Sequence, residues 1–233
     1  MKKTSSAFIG ILFFLTAFYP AGLLLCACFG YIFKLTNNLA FSVIIAIISV
    51  LTVILSFISK ERTDRKITVL AYILTPLSLI NAVLMIFESS QIWVAVCVII
   101  SVFCSCVLTV KSILTKSRKI LVSVLSAIST ALLIFTAFMM LTFGNIGQNT
   151  VVRTVESPDS EHYAEVISVS QGALGGDTIV NVYNKTELNT GIFIIRKKPQ
   201  RVYMGEWGES EKMEIYWKND SCVVVNSDEY EIK

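Results

Sequence analysis

Residues 39–66 read LAFSVIIAIISVLTVILSFISKERTDRK: twenty-one uncharged, mostly apolar residues from Leu39 to Ser59, then Lys60, Arg62, Arg65 and Lys66 within seven positions. At about 1.5 Å per residue the uncharged run reaches roughly 30 Å, the thickness of a bilayer's hydrocarbon core. Backbone polar groups at that depth must be satisfied inside the segment, which selects a helix. Outward from this stretch, Phe8–Phe33, Ile67–Phe87, Ile92–Val110 and Ile120–Phe143 repeat the pattern, and none of the five contains Asp, Glu, Lys or Arg. With 54% hydrophobic and 16% charged residues among 233, the chain is too apolar for an ordinary water-soluble domain. The fold class predicted is a membrane α-helical bundle of five transmembrane helices over residues 1–149, followed by a small all-β antiparallel extracytoplasmic domain over 150–233.

Loop charge sets the orientation, because cationic flanks stay cytoplasmic. Lys2 and Lys3 precede the first span; Lys60, Arg62, Arg65 and Lys66 follow the second; Lys111, Lys116, Arg118 and Lys119 follow the fourth. The other two loops, residues 34–38 and 88–91, hold Lys34 as their only Lys or Arg. This asymmetry predicts a plasma-membrane protein with a cytoplasmic amino terminus and everything after Phe143 outside. The membrane half is basic, with eleven Lys and Arg against three acidic residues before Gly147, and the tail is acidic, with nine against fourteen. A nucleic-acid footprint needs clustered positive charge on one face, so nucleic acid is not an expected partner. Met1, Lys2 and Lys3 ahead of an apolar run, with Leu25-Cys26-Ala27-Cys28, loosely resemble a cleaved lipoprotein signal. The apolar run outlasts a signal core and continues through Phe29–Phe33, which favours a retained first span kinked at Pro20.

The spans lack the ionisable residues that proton relays, ion coupling or voltage sensing require. Asn81, beside Thr75, Pro76 and Ser78, is the candidate polar position in the membrane, either lining a small cavity or bonding to a neighbouring helix near a proline kink. Ser123, Ala127 and Ala131 recur every fourth residue and predict a close packing face on the fifth helix. Five of the six cysteines, Cys26, Cys28, Cys97, Cys104 and Cys106, lie in apolar spans and read as small hydrophobes; Cys222 alone lies in the tail, so no disulfide is expected within it.

Beyond Thr150 the chain shifts to short β-branched and aromatic runs between turn residues. Strands are predicted at about 151–155, 163–170, 178–184, 192–197, 202–207, 213–218, 222–225 and 229–232. Met213, Ile215 and Trp217 alternate with Glu214, Tyr216 and Lys218, and Ser157-Pro158-Asp159, Asn219-Asp220 and Asn226-Ser227 mark turns. Gly172, Ala173, Leu174, Gly175, Gly176 and Asp177 lack the Lys-Ser/Thr pair and following helix of a phosphate cradle and read first as a turn. As a ligand loop, its freed amides would donate, with Gly175, Gly176, Asp177 and Trp207 as the candidate contacts. His162 is the only histidine and has no thiolate nearby, so neither a structural metal site nor a nucleophile triad is expected. Glu206, Glu209, Glu211 and Glu214 near Trp207 and Trp217 have the residue types of a glycosidase pair, but hairpin carboxylates are ordinarily solvated and paired tryptophans ordinarily core. No cofactor and no catalytic activity are expected.

Several of these tail motifs occur together in order: Ser157-Pro158-Asp159, Tyr163-Ala164-Glu165-Val166, Gly172-Ala173, Gly175-Gly176-Asp177, Val202-Tyr203, Gly205-Glu206-Trp207, Ile215-Tyr216-Trp217-Lys218 and Val223-Val224-Val225-Asn226. The pattern resembles an uncharacterised domain of unknown function at the outer end of small multi-pass membrane proteins of Firmicutes, over roughly residues 150–233. Such domains show Ser-Pro-Asp-Gly where this chain has Ser160, and Asn-Gly where it has Ser227. The resemblance implies a bacterial plasma membrane and supplies no active site. The function expected is a non-enzymatic membrane protein whose outer domain binds an envelope partner or ligand. Alternatives are a channel-like or transport accessory component using Asn81 and Ser101, and an immunity protein against a membrane-active peptide.

Overall fold

The computed structural model describes residues 2–59, 65–89, 91–113, 116–143, 149–170 and 175–232. Five helices, α1 (Lys2–Cys28), α2 (Asn38–Ile58), α3 (Arg65–Glu88), α4 (Ile92–Ser112) and α5 (Lys116–Phe143), precede an all-β region, and all five are long and apolar enough to cross a membrane. The chain is therefore a multi-pass membrane protein with the predicted order of helices, then strands. It divides into two compact units, one of Met1–Leu25 with Leu35–Phe143, the other of Cys26–Lys34 with Gly144–Lys233.

The expected first span, drawn to Phe33, is corrected: α1 stops at Cys28 and a strand, β1 (Tyr31–Leu35), follows. The amides of Phe29 and Gly30 close a tight last turn onto the carbonyls of Cys26 and Ala27, and Gly30 takes φ +75°, a left-handed conformation that ends helices. Tyr31, Ile32 and Phe33 are as apolar as the helix before them, so hydropathy runs unbroken across the boundary. The start of α2 is sharper, with the Asn37 side-chain oxygen accepting from the Ala40 amide at 2.9 Å.

Within the helical unit α4 is the centre, packed against α2, α3 and α5. Its hydroxyl residues make the interhelical bonds. Ser101 Oγ lies 3.0 Å from Ser49 Oγ of α2; Thr109 Oγ1 donates to the Ala71 carbonyl of α3 at 2.6 Å and lies 2.7 Å from Thr75 Oγ1. Ser105 donates to the Ser101 carbonyl four residues back at 2.9 Å, so the row along α4 is satisfied without water. Phe14, Ile47, Phe87 and Phe135 are exposed and suit contact with lipid. The packed stripe of α5 is Ser126, Leu133 and Ala137, whereas Ser123, Ala127 and Ala131 are exposed, so the expected packing face lies one step round the helix from the real one.

The β unit contains β2 (Asn149–Glu156), β3 (His162–Ser170), β4 (Gly176–Asn184), β5 (Glu187–Asn189), β6 (Phe193–Lys197), β7 (Gln200–Glu206), β8 (Ile215–Asn219), β9 (Cys222–Val225) and β10 (Asp228–Glu231). One sheet has the order β2-β3-β4-β7, a second β10-β9-β8, a third β1-β6-β5. Every second residue of the central strands faces one core: Ala164 and Val166, Val180 and Val182, Val223 and Val225, joined by Met213 and Ile215. Trp217 Nε1 donates to the Val155 carbonyl at 3.1 Å, tying the second sheet to the first. The odd-numbered residues of β3 and β4 take the opposite face, where Tyr163 and Tyr183 stack with ring centroids 5.0 Å apart and the Arg196 guanidinium lies 5.1 Å over Tyr183. In the third sheet the Phe33 ring stacks on Phe193 at 5.2 Å and the Lys198 amide donates to the Gly30 carbonyl at 3.0 Å.

Candidate functional site

At one end of the four-stranded sheet the start of β4 lies beside the end of β7, pairing Asp177 with Glu206 and Thr178 with Gly205. Thr178 is fully buried there, its hydroxyl donating to the Glu206 carbonyl at 2.8 Å. Gly175 has φ +96°, which aims the chain into β4. A Cβ on Gly176 would overlap the Val169 carbonyl and lie 2.8 Å from Trp207 Cδ1, so glycine is what lets the indole lie against the strand. Gly176 thus lies against Trp207 and Asp177 is paired beside it with Glu206, but of the four candidate contacts only Trp207 lines the neighbouring surface pocket. Gly172, Ala173 and Leu174 lie outside the described residues.

Trp207 leaves β7 with 59% of its surface exposed, and the chain turns at Gly208 (φ +83°) into a single 3-10 turn, Glu209–Glu211. That turn carries the Glu209 carboxylate back under the strand. One oxygen accepts from the Tyr203 hydroxyl and from Asn226 Nδ2, both at 2.7 Å, and the other accepts from the Glu206 amide at 3.1 Å. Gly205 makes room, since a Cβ there would overlap the carboxylate and crowd the Tyr203 ring. Asn226 in turn accepts from the Glu214 amide at 3.2 Å through its side-chain oxygen. The bond to Glu209 is the main cause that raises the Tyr203 phenol above its usual value of 10.0.

Around this clamp lies a surface pocket of about 470 Å³ lined by Tyr203, Gly205, Glu206, Trp207, Gly208, Glu209 and Lys212. It offers an exposed indole face with a carboxylate and an ammonium within the same rim, a combination that stacks on a flat ring and bonds to its polar edge. The expectation that both tryptophans belong to the core is corrected: Trp217 packs against the core cluster, and Trp207 is surface. Glu209 is likewise not merely solvated, while Glu211 and Glu214 are exposed. Sequence reasoning passed over the clamp because its partners lie six and seventeen residues from Glu209 and no periodicity links them.

The remaining candidates lie elsewhere. His162 pairs with Asn184 at the opposite end of β4, about 27 Å from Gly176 at strand spacing, its ring 6.3 Å from that of Trp217. Asn81 is buried in the helical unit at 2% exposure. Its amide nitrogen reaches Met85 Sδ at 3.7 Å on its own helix, and its oxygen has no described partner, so the interhelical bonding expected of it is carried instead by Thr75. Among the described residues no group of three His, Cys, Asp or Glu is placed to hold a metal ion. Comparison with known protein families, with curated proteins and with solved structures gives no match.

Proposed function

We propose that this chain is a non-enzymatic bacterial plasma-membrane protein that holds an envelope ligand or partner at the Trp207 pocket of its outer β domain. The observation that carries the reading is the exposed indole beside a polar wall already fixed by the Glu209 clamp, because a preorganised rim binds without first ordering its side chains. A hydroxyl-bearing ring with one apolar C–H face, such as a sugar of an envelope polymer, fits the stacking face and the flanking Glu206 and Lys212. Both Glu209 oxygens are taken up by structural donors, which supports binding over acid/base work. The likeness of the tail motifs to the Firmicute domain supports the bacterial assignment.

The proposed orientation has the amino terminus cytoplasmic and the tail outside. It draws support from β1, which lies between α1 and α2 yet shares a sheet with β5 and β6, so that loop and the tail occupy one side of the membrane. The loop-charge asymmetry independently supports placing that shared side outside. The hydroxyls of α4 bond to carbonyls and to hydroxyls of α2 and α3, which supports packing over a pore.

A photo-crosslinking residue replacing Lys212 in the full chain, expressed in intact bacteria, tests the reading. A discrete adduct is expected, reduced at least tenfold by Trp207→Ala and absent when the crosslinker replaces the exposed Leu188. An adduct that survives Trp207→Ala, or no adduct at all, would reject the pocket as the binding site.

A further inference from the structure

A groove of about 630 Å³ runs along the helical unit between α4 and α5, closed at one end by Phe57 of α2. On α4 it extends from Phe103 to Lys111 and on α5 from Ser123 to Ile134, which is about 12 and 16 Å of helix. Half of a hydrocarbon core is about 15 Å, and Phe103 sits near the middle of α4, so the groove is one leaflet deep. Its walls are apolar, built from Phe57, Phe103, Val107, Val110 and Ile134. Its floor exists because Ala127 and Ala131 are small; leucines at those positions would fill it.

The membrane-boundary end is different in kind. There Lys111 holds its ammonium 3.3 Å from Ser56 Oγ and 4.4 Å from the centroid of the Phe57 ring. Among the described residues no carboxylate pairs with it, and Ser56 uses one of three N–H donors. The sequence from Lys111 to Lys119 adds Lys116, Arg118 and Lys119 and contains no acid. A hydrocarbon slot of one-leaflet length, ending at an ammonium that no described carboxylate neutralises, matches the shape of an acyl chain below a phosphate.

We propose that the α4–α5 groove is a site for an anionic phospholipid, with an acyl chain along Ala127 and Ala131 and the phosphate on Lys111. On the orientation proposed above this is a lipid of the inner leaflet, but the site stands on its own geometry in either orientation. Basic clusters where helices meet the membrane surface favour anionic head groups, and the remaining contacts are indifferent to the head.

The full chain in detergent micelles, titrated with phosphatidylglycerol or phosphatidylcholine and read by native mass spectrometry, provides the test. The wild type is expected to retain one phosphatidylglycerol at least tenfold more tightly than phosphatidylcholine. Lys111→Gln should weaken phosphatidylglycerol about fivefold without changing phosphatidylcholine. Ala127→Trp should weaken both, with circular dichroism unchanged because position 127 is exposed. Equal retention of the two lipids, or indifference to Lys111→Gln, would overturn the head-group assignment. Retention untouched by Ala127→Trp, or a dimer that this substitution dissolves in place of bound lipid, would overturn the site.

Discussion

Three non-glycine residues of the β unit, Ser160, Asn226 and Ser227, hold φ of +58°, +48° and +75°. Asn226 and Ser227 are the two central residues of the β9–β10 hairpin, where consecutive positive φ values define the type I′ turn whose twist matches the strands. Ser160 closes the turn in which the Ser157 hydroxyl accepts from the His162 amide and the Ser160 amide donates to the Ser157 carbonyl. The left-handed region costs an L-residue about 1 kcal/mol or more, and glycine almost nothing. Ser160→Gly and Ser227→Gly should therefore each stabilise the β unit by about 1 kcal/mol, read by denaturant unfolding of the detergent-solubilised chain. Gly176→Ala should do the reverse by about 2 kcal/mol, since its methyl meets the Val169 carbonyl and the indole.

Asp159 gives the same turn a pH dependence. Its carboxylate accepts foremost from the Ser157 hydroxyl and then from the Glu161 amide, which lowers its pKa below the usual 3.8. The folded value is the lower one, so the stabilisation is complete above the unfolded value and disappears as pH falls through the folded value. Asp159→Asn should remove that part of the acid-unfolding curve and leave the neutral-pH fold unchanged by circular dichroism. The turns were legible from Ser157-Pro158-Asp159 and Asn226-Ser227, since these residue types favour local side-chain to backbone bonds. The Tyr203–Glu209–Asn226 clamp was not, because it forms only once β7 and the β9–β10 turn have met.

Among the elements, the runs that alternate in sequence became strands in the structure within a residue or two, and Met213, Ile215 and Trp217 do face inward as the alternation requires. β5 escaped because three exposed residues, Glu187, Leu188 and Asn189, carry no pattern. β1 escaped for the opposite reason, its apolar residues continuing the hydrophobicity of α1. Phe33 is the residue that makes β1 matter, through its stack on Phe193. Phe33→Ala should speed hydrogen exchange at the amides of residues 193–197 by tenfold or more and leave β3 protected, as measured on the full chain. In the helices, Thr109→Val should cost about 1 kcal/mol, a typical to high value for an interhelical hydroxyl bond in a membrane, because it removes the bond to the Ala71 carbonyl and the contact with Thr75.

At the scale of the whole molecule, the number of spans and the end of the last one follow from charge-free run length, because lipid tolerates few alternatives, whereas the change from α1 to β1 does not. The site was legible in part. Glycines at the start of one strand and an aromatic at the end of another are local features, and they proved to be neighbours, whereas the groove between α4 and α5 depends on which face each helix turns inward. Orientation yields a direct test. In whole protoplasts, a membrane-impermeant thiol reagent should reach cysteines engineered at Tyr31 and at Glu229 but not one at Ser117, against a background in which the native cysteines have been replaced. Reaction at Ser117 with protection at the other two would invert the proposed topology.

A polypeptide made from its amino terminus releases Tyr31–Leu35 long before Phe193–Lys197 exists, with four further helices to be inserted in between. Until the distal segment is synthesised, that early strand waits with its hydrogen-bonding edge open and its aromatic uncovered. Nascent chains halted after α5 should consequently be recognised as unfinished by proteases that read exposed edges, and only full-length copies should become resistant near Phe33.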